Sequence, residues 1–141
     1  MAQSVSITGG VPAVQSFDTL ASAGNASTLP GGWFLFESSG NTEYTADNGG
    51  ANSGTTYSYG STGSSERAFG SIRSGSNQPR IGARLVNNTG GSLNELLIQF
   101  TGEQWRVGTG AAVDRLDFEY SFDAANLNSG AWTAFDGLDF T

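Results

Sequence analysis

Near neutral pH this chain can do chemistry only with carboxylates, hydroxyls, amides and arginine. It contains no histidine and no cysteine, and all six of its basic residues are arginines. A serine nucleophile would find no imidazole or amine to take its proton, and no thiolate can form. What remains is a pair of carboxylates or a cation held by oxygen ligands. Three groups of residues have side chains suited to these tasks or to binding alone.

The first group is the oxygen-rich run Asp47-Asn48-Gly49-Gly50-Ala51-Asn52-Ser53, with Glu43 close by. Calcium takes six to eight oxygens from carboxylates, amides and backbone carbonyls, and glycines let carbonyls converge. Asp47, Asn48 and Asn52 are the candidate metal ligands and Ca2+ the candidate cofactor. The spacing is not that of an EF-hand, so a solvated turn is the competing reading, and Asp18, Asp136 and Asp139 offer oxygens elsewhere. The second group is Arg115, Asp117 and Glu119, which Arg84, Gln99 and Glu103 can join on one sheet face. Two acids on neighbouring strands can split a glycosidic bond when their separation suits. An exposed salt-bridge ladder uses the same residues and is the expected outcome.

The third group is aromatic: Trp33, Trp105 and Trp132, with Tyr44, Tyr57 and Tyr59. A sugar ring stacks its CH face on indole or phenol, while its hydroxyls take bidentate partners from Arg, Asp, Glu, Asn and Gln. Trp33 sits in Trp33-Phe34-Leu35-Phe36 and is expected in the core, and Trp132 under a loop. Tyr57 and Tyr59 share one side of a polar strand and are the surface candidates, with Trp105 between Gln104 and Arg106 intermediate. Together the expected ligand-binding residues are Tyr57, Tyr59, Arg84, Trp105, Arg115, Asp117 and Glu119. Gly108-Thr109-Gly110 is no phosphate loop, since no helix follows and no lysine completes it.

The elements that must position these residues are strands. Apolar residues come in short alternating runs between glycine- and asparagine-rich turns, and helical periodicity is lacking. The expected strands are Ser4–Thr8, Val14–Asp18, Gly32–Glu37, Thr42–Thr45, Thr56–Tyr59, Arg67–Ser71, Arg80–Asn87, Leu93–Thr101, Leu116–Phe122 and Trp132–Phe135. Strict alternation at Leu116, Phe118, Tyr120 and Phe122 predicts one core face and one charged face. Leu96–Phe100, apolar on both sides except at Gln99, is expected to run centrally, in a hairpin with Arg80–Val86 through Asn87–Gly91. The fold class that follows is all-β: an antiparallel two-sheet β-sandwich, jelly-roll-like.

Composition narrows the partners. At 141 residues the chain is expected to be one domain, 1–141, able to bury about two-thirds of its unfolded surface without disulfides. Six arginines against 13 acids give a net charge of −7, which repels nucleic acid phosphates and anionic lipid headgroups. No run approaches the ~18 apolar residues of a membrane helix. The chain begins Met1-Ala2-Gln3 without a signal peptide, and export is expected with Ala2-Gln3 left behind after cleavage. The sequons Asn25-Ala26-Ser27 and Asn87-Asn88-Thr89 read as ordinary turns.

Five runs carry a resemblance: Gln15-Ser16-Phe17-Asp18-Thr19-Leu20, Leu29-Pro30-Gly31-Gly32-Trp33, Ser64-Ser65-Glu66-Arg67-Ala68-Phe69-Gly70, Thr101-Gly102-Glu103-Gln104-Trp105-Arg106 and Asp114-Arg115-Leu116-Asp117-Phe118-Glu119-Tyr120-Ser121. From about Gln15 to Thr141 the chain resembles a jelly-roll module of large secreted bacterial proteins. Such modules occur near the N-terminus of extracellular nucleases and phosphatases with lamin-tail domains, and in giant calcium-dependent adhesins. The resemblance implies an extracellular setting and further strands beyond Phe135–Phe140, whose absence would leave an open sheet edge. Two functions are expected from these readings. One is a non-catalytic module binding a carbohydrate or cell-surface ligand for a secreted enzyme or adhesin. The other is a structural module that takes a strand from a partner or from a second copy.

Overall fold

The computed structural model of the protein describes residues 3–110 and 113–141, so Ala2 of the expected cleavage junction lies outside the described residues. The strands are β1 (Val5–Ile7), β2 (Asn25–Ala26), β3 (Trp33–Glu37), β4 (Tyr44–Asp47), β5 (Thr56–Tyr59), β6 (Ala68–Ser71), β7 (Pro79–Ala83), β8 (Leu85–Asn87), β9 (Glu119–Tyr120) and β10 (Thr133–Ala134), followed by a 3-10 turn at Asp136–Leu138. The protein is all-β and sandwich-like. No helix among the described residues is long and apolar enough to cross a membrane.

One layer is a four-stranded sheet in the order β2-β4-β5-β6, and facing it is the β3–β7 antiparallel pair. Leu20, Tyr44 and Phe69 are the buried centre between them, with Phe17, Trp33, Leu35 and Ile81 packed around. Ring geometry is specific: Phe17 meets Trp33 edge-on at 4.6 Å and Phe69 meets Tyr44 edge-on at 6.2 Å. The phenol of Tyr44 keeps its polar end satisfied, donating to the Thr28 carbonyl and accepting from the Ala21 amide, both at 3.0 Å. Gly32 makes the turn into β3 at φ +86°, and a Cβ there would strike the backbone of Ser4 and Val5. No other residue fits.

Strand β5 occupies the middle of the four-stranded sheet, and all four of its residues are buried. It runs antiparallel to β6 but parallel to β4, through the eight residues 48–55. Parallel pairing was not expected of so short a connection. It is possible because the strands are only four residues long, about 13 Å at ~3.3 Å per residue, which eight residues easily span. The pair β1–β8 is parallel too.

The second half departs from expectation. Leu93–Thr101 forms no strand, and Leu97 is 91% exposed. Its expected hairpin partner is bonded elsewhere, because β7 pairs with β3 and β8 with β1. An apolar run without a ladder cannot be a central strand. Likewise only Glu119–Tyr120 of Leu116–Phe122 joins a ladder, with β10, while Leu116 bridges singly to Phe140. Phe122 is 98% exposed and Leu116 and Tyr120 are exposed, so the alternating stripe is not a core face. The expected strand Val14–Asp18 is broken by Phe17, whose φ of 64° lies in the left-handed region. That conformation costs roughly 1–2 kcal/mol and is held by the ring contacts with Trp33 and Phe69.

The layers are also tied by a buried charge. Glu37, 2% exposed at the end of β3, accepts from Thr56 N at 2.7 Å, Thr55 Oγ1 at 2.8 Å and Asn77 Nδ2 at 2.6 Å. Burial pushes its carboxyl upward, but the hydrogen bonds from Thr55, Asn77 and Thr56 together outweigh that and leave it below its usual value of 4.5. The unfolded chain therefore takes up the proton first, and this contribution to stability is present above about pH 4.5 and lost as pH falls through the folded value. Replacing Glu37 with Ala removes the acceptor of Thr56 N, Thr55 Oγ1 and Asn77 Nδ2 and of the exposed Ser39 Oγ, and at ~1–3 kcal/mol for each of the first three we expect a loss of about 3–9 kcal/mol in urea melts. Glu37→Gln should lose less and should flatten the decline of stability between about pH 5 and 3; an unchanged acid slope contradicts the role given to this carboxylate.

Candidate functional site

Register decides which face each residue of the four-stranded sheet serves. Ser58 lies opposite Phe69 and Ala46, so these point into the sandwich core; Tyr57 and Tyr59 lie opposite Thr45, Asp47, Gly70 and Ala68 and point to the other face. That second face is covered by a segment far along the chain. The indole of Trp105 stacks on Tyr59 with ring centres 6.0 Å apart and planes 5° from parallel, and Tyr59 in turn lies 5.1 Å from Tyr57. Gly70 leaves the room Tyr59 needs, since a Cβ there would press on its ring at 3.1 Å.

Loop 48–55 closes the edge of this stack. Asp47 Oδ1 accepts from Gly49 N at 2.7 Å and Ala51 N at 3.1 Å, and Asn48 Oδ1 accepts from Gly50 N at 3.2 Å. Gly49, at φ +91°, lets the backbone of Trp105 pass so close that any Cβ would meet its carbonyl. Arg106 Nη1 donates to Gly50 O at 3.2 Å, and Trp105 Nε1 donates to Glu103 Oε2 at 2.8 Å. Trp105 is thereby held on one face and on its ring nitrogen while staying half-buried. Asn48 and Asn52 stand exposed in the loop.

The expectation that Tyr57 and Tyr59 are surface residues is overturned. They are 1% and 6% exposed, and Tyr57 donates its hydroxyl to Ser53 O at 2.8 Å. The polar residues between them misled, because a buried serine or threonine counts as polar in a pattern but not in a core that satisfies it: Ser58 Oγ donates to Ala21 O at 2.9 Å. Of the expected ligand-binding aromatics Tyr57, Tyr59 and Trp105, Trp105 alone is not buried. Arg106 belongs to the same group and was passed over; its place beside the tryptophan was the available signal.

The metal candidates are brought to the same place but form a lean donor set. Asp47 brings one carboxylate, with Oδ1 already accepting from two amides, and Asn48 and Asn52 bring one amide oxygen each. Among the described residues no group of three or more acidic side chains converges. Calcium takes six to eight oxygens, so backbone carbonyls or waters would have to join these side chains to hold it.

The charged candidates do not share one face. Arg115 Nε pairs with Asp117 Oδ1 at 2.5 Å and Nη1 with Asp139 Oδ2 at 3.7 Å, while Asp139 Oδ1 accepts from Phe118 N at 2.9 Å. Arg115 and Asp117 are more than half exposed, where such a pair contributes at most about 1 kcal/mol. Glu119 is exposed on β9 opposite Ala134. Arg84 lies between β7 and β8, its backbone bonded to Gly32 O and Val5 N and its side chain exposed. Because β7 pairs with β3, β8 with β1 and β9 with β10, the strands flanking Arg84 and the strand of Glu119 belong to different sheets. Trp132 does pack under its loop, donating to Ser129 O at 2.8 Å.

Comparison of the chain with protein families, curated proteins and solved structures finds no match.

The buried stack makes a spectroscopic prediction. Burial, then the negative charges of Asp47 and Glu37, raises the Tyr57 phenol above its usual 10, with Arg106 opposing; Tyr59 is raised further, chiefly by burial. Neutral phenols are favoured in the fold, so this stability is complete below pH 10 and lost as pH rises through the folded values. In an absorbance titration of phenolate, Tyr57 and Tyr59 should ionise only together with alkaline unfolding. Early, reversible ionisation of all four tyrosines at pH 10 would contradict the stack.

Proposed function

We propose that this chain is a non-catalytic extracellular module that holds a carbohydrate, with Trp105 as the stacking platform, serving a secreted enzyme or adhesin of the jelly-roll type it resembles. One observation carries the reading. A half-exposed indole is fixed by a parallel stack on Tyr59 and by its Nε1 bond to Glu103, and next to it in the chain Arg106 is bonded to the Gly50 carbonyl. A rigid aromatic face loses little entropy on binding, and sugar CH groups lie flat on such a face while amides and guanidinium take the hydroxyls. A side-chain inventory without histidine, lysine or cysteine suits holding rather than reacting.

The test is a glycan array followed by calorimetry, run with and without calcium. Trp105→Ala should weaken binding at least about tenfold, roughly 1.4 kcal/mol, with an unchanged circular dichroism spectrum. Failure to bind any polysaccharide in either condition, or binding indifferent to Trp105, sinks the proposal.

A second reading, assembly with another copy of the chain, is favoured by the exposure of the large apolar side chains Leu97, Phe100, Leu116 and Phe122. Exposed apolar patches of that kind mark association sites. Light scattering at rising concentration should then report a dimer; a monomer throughout removes this reading.

A further inference from the structure

Beyond the C-terminal ends of the parallel strands β4 and β5, on the core side of the sheet, lies a pocket of about 240 Å³ with Arg67 at its base and Ser22, Asn48, Gly60 and Thr62 around it. Arg67 is only 3% exposed. Its Nε donates to Ser58 Oγ at 2.8 Å, and Nη2 donates to the Ser58 carbonyl and to Asp47 O at 3.4 Å. All of these acceptors are neutral. The ion pairs among the described residues both belong to Arg115, so no carboxylate lies within 4.0 Å of this guanidinium.

A buried cation without a counter-ion is costly unless dipoles or a ligand compensate it. Here the compensation stops short at Nη1, which has no hydrogen-bond partner among the described residues. Nη1 is not sealed either, because among the described residues the one sealed side-chain atom lacking a partner is Thr56 Oγ1. It lies against Gly60, where a Cβ would collide with it. Gly60 thus keeps the approach to Nη1 open. Asp47 also borders the pocket, yet register turns its side chain to the Tyr59 face, and its Oδ1 is held by Gly49 N and Ala51 N. It contributes its carbonyl to Nη2 and not a repelling charge to Nη1. Ser22 and Thr62 add hydroxyls at an exposed rim, and Asn48 points Nδ2 toward Thr62 Oγ1 at 3.4 Å.

We propose that this pocket is an oxyanion site in which Arg67 Nη1, helped by the Thr62 and Ser22 hydroxyls and the Asn48 amide, takes one carboxylate, sulfate or phosphate group of a ligand. The pocket has room for such a group, given ~30 Å³ for one water. The protein carries a net charge of −7, Asp47 is in the lining and the Asp18 carboxylate accepts from the Arg67 backbone N at 3.2 Å, so Nη1 is the positive charge on which an anion here would depend. The site is independent of the Trp105 platform and stands or falls on its own.

The test is a titration of the isotopically labelled protein with sulfate, inorganic phosphate, acetate and methyl glucuronide, at constant ionic strength set with chloride, read by amide shifts of Asn48, Gly60 and Thr62 and by the Arg67 Nε–H. At least one oxyanion should give saturable shifts confined to these signals, and the arm that saturates at lowest concentration names the chemistry. Thr62→Glu, at the exposed rim, should weaken that binding at least tenfold without changing the melting temperature. Arg67→Lys should do the same where it folds. Shifts that never saturate, equal shifts from neutral methyl glucoside, or a Thr62→Glu protein that binds as tightly as the parent would overturn the proposal.

Discussion

Strand β5 has protein on both faces, and its burial is the constraint from which the rest follows. Thr56 and Ser58 turn toward the Phe69 side and Tyr57 and Tyr59 toward Trp105, with all four residues below a tenth exposed. Sealing a strand made of hydroxylated side chains costs least where those hydroxyls find partners, and among the described residues Thr56 Oγ1 is the sealed side-chain atom that finds none. Ser58 reaches Ala21 O and Tyr57 reaches Ser53 O, and the Glu37 carboxylate caps the entry to the strand at Thr55 and Thr56. The cost of burying these polar groups is thereby turned into positional specificity, because each partner comes from a different part of the chain.

That specificity links structure to the sites. On one face the tyrosine stack gives Trp105 a fixed plane, and on the other Ser58 gives Arg67 its first hydrogen bond, so the platform and the pocket hang on opposite sides of the same strand. Asp47, at the end of the neighbouring parallel strand, serves both: its carboxylate orders loop 48–55 against Trp105, and its carbonyl receives Arg67 Nη2. The glycines at 49 and 60 are needed for close approach, of the Trp105 backbone in one case and of Nη1 in the other.

Where local pattern and turn chemistry agree, the sequence is readable: β5 coincides with the expected Thr56–Tyr59, Trp33 joins the core, and Leu29-Pro30-Gly31-Gly32 turns into β3. Alternation alone misleads where no partner strand exists. Leu116–Phe122 has the pattern of a half-buried strand, yet only two of its residues enter a ladder, since pairing is a property of the neighbours and not of the run. The site was half legible. Trp105 and loop 47–53 were identifiable by residue type, but their meeting with Tyr59 joins segments about fifty residues apart and leaves no trace in local spacing. Arg67 gave less warning still, because a buried arginine bonded to serine and to carbonyls has no charged partner in the sequence to announce it.

The most direct test of this account is whether Trp105 lies on Tyr59 in solution. Proton nuclear Overhauser spectra of the protein should show cross-peaks between the indole ring of Trp105 and the aromatic protons of Tyr59, with the Tyr59 protons shifted upfield by the parallel ring. A Trp105 indole with no contacts to Tyr59, beside Tyr57 and Tyr59 rings at solvent-like shifts, would contradict the two-sided burial of β5 and everything built on it.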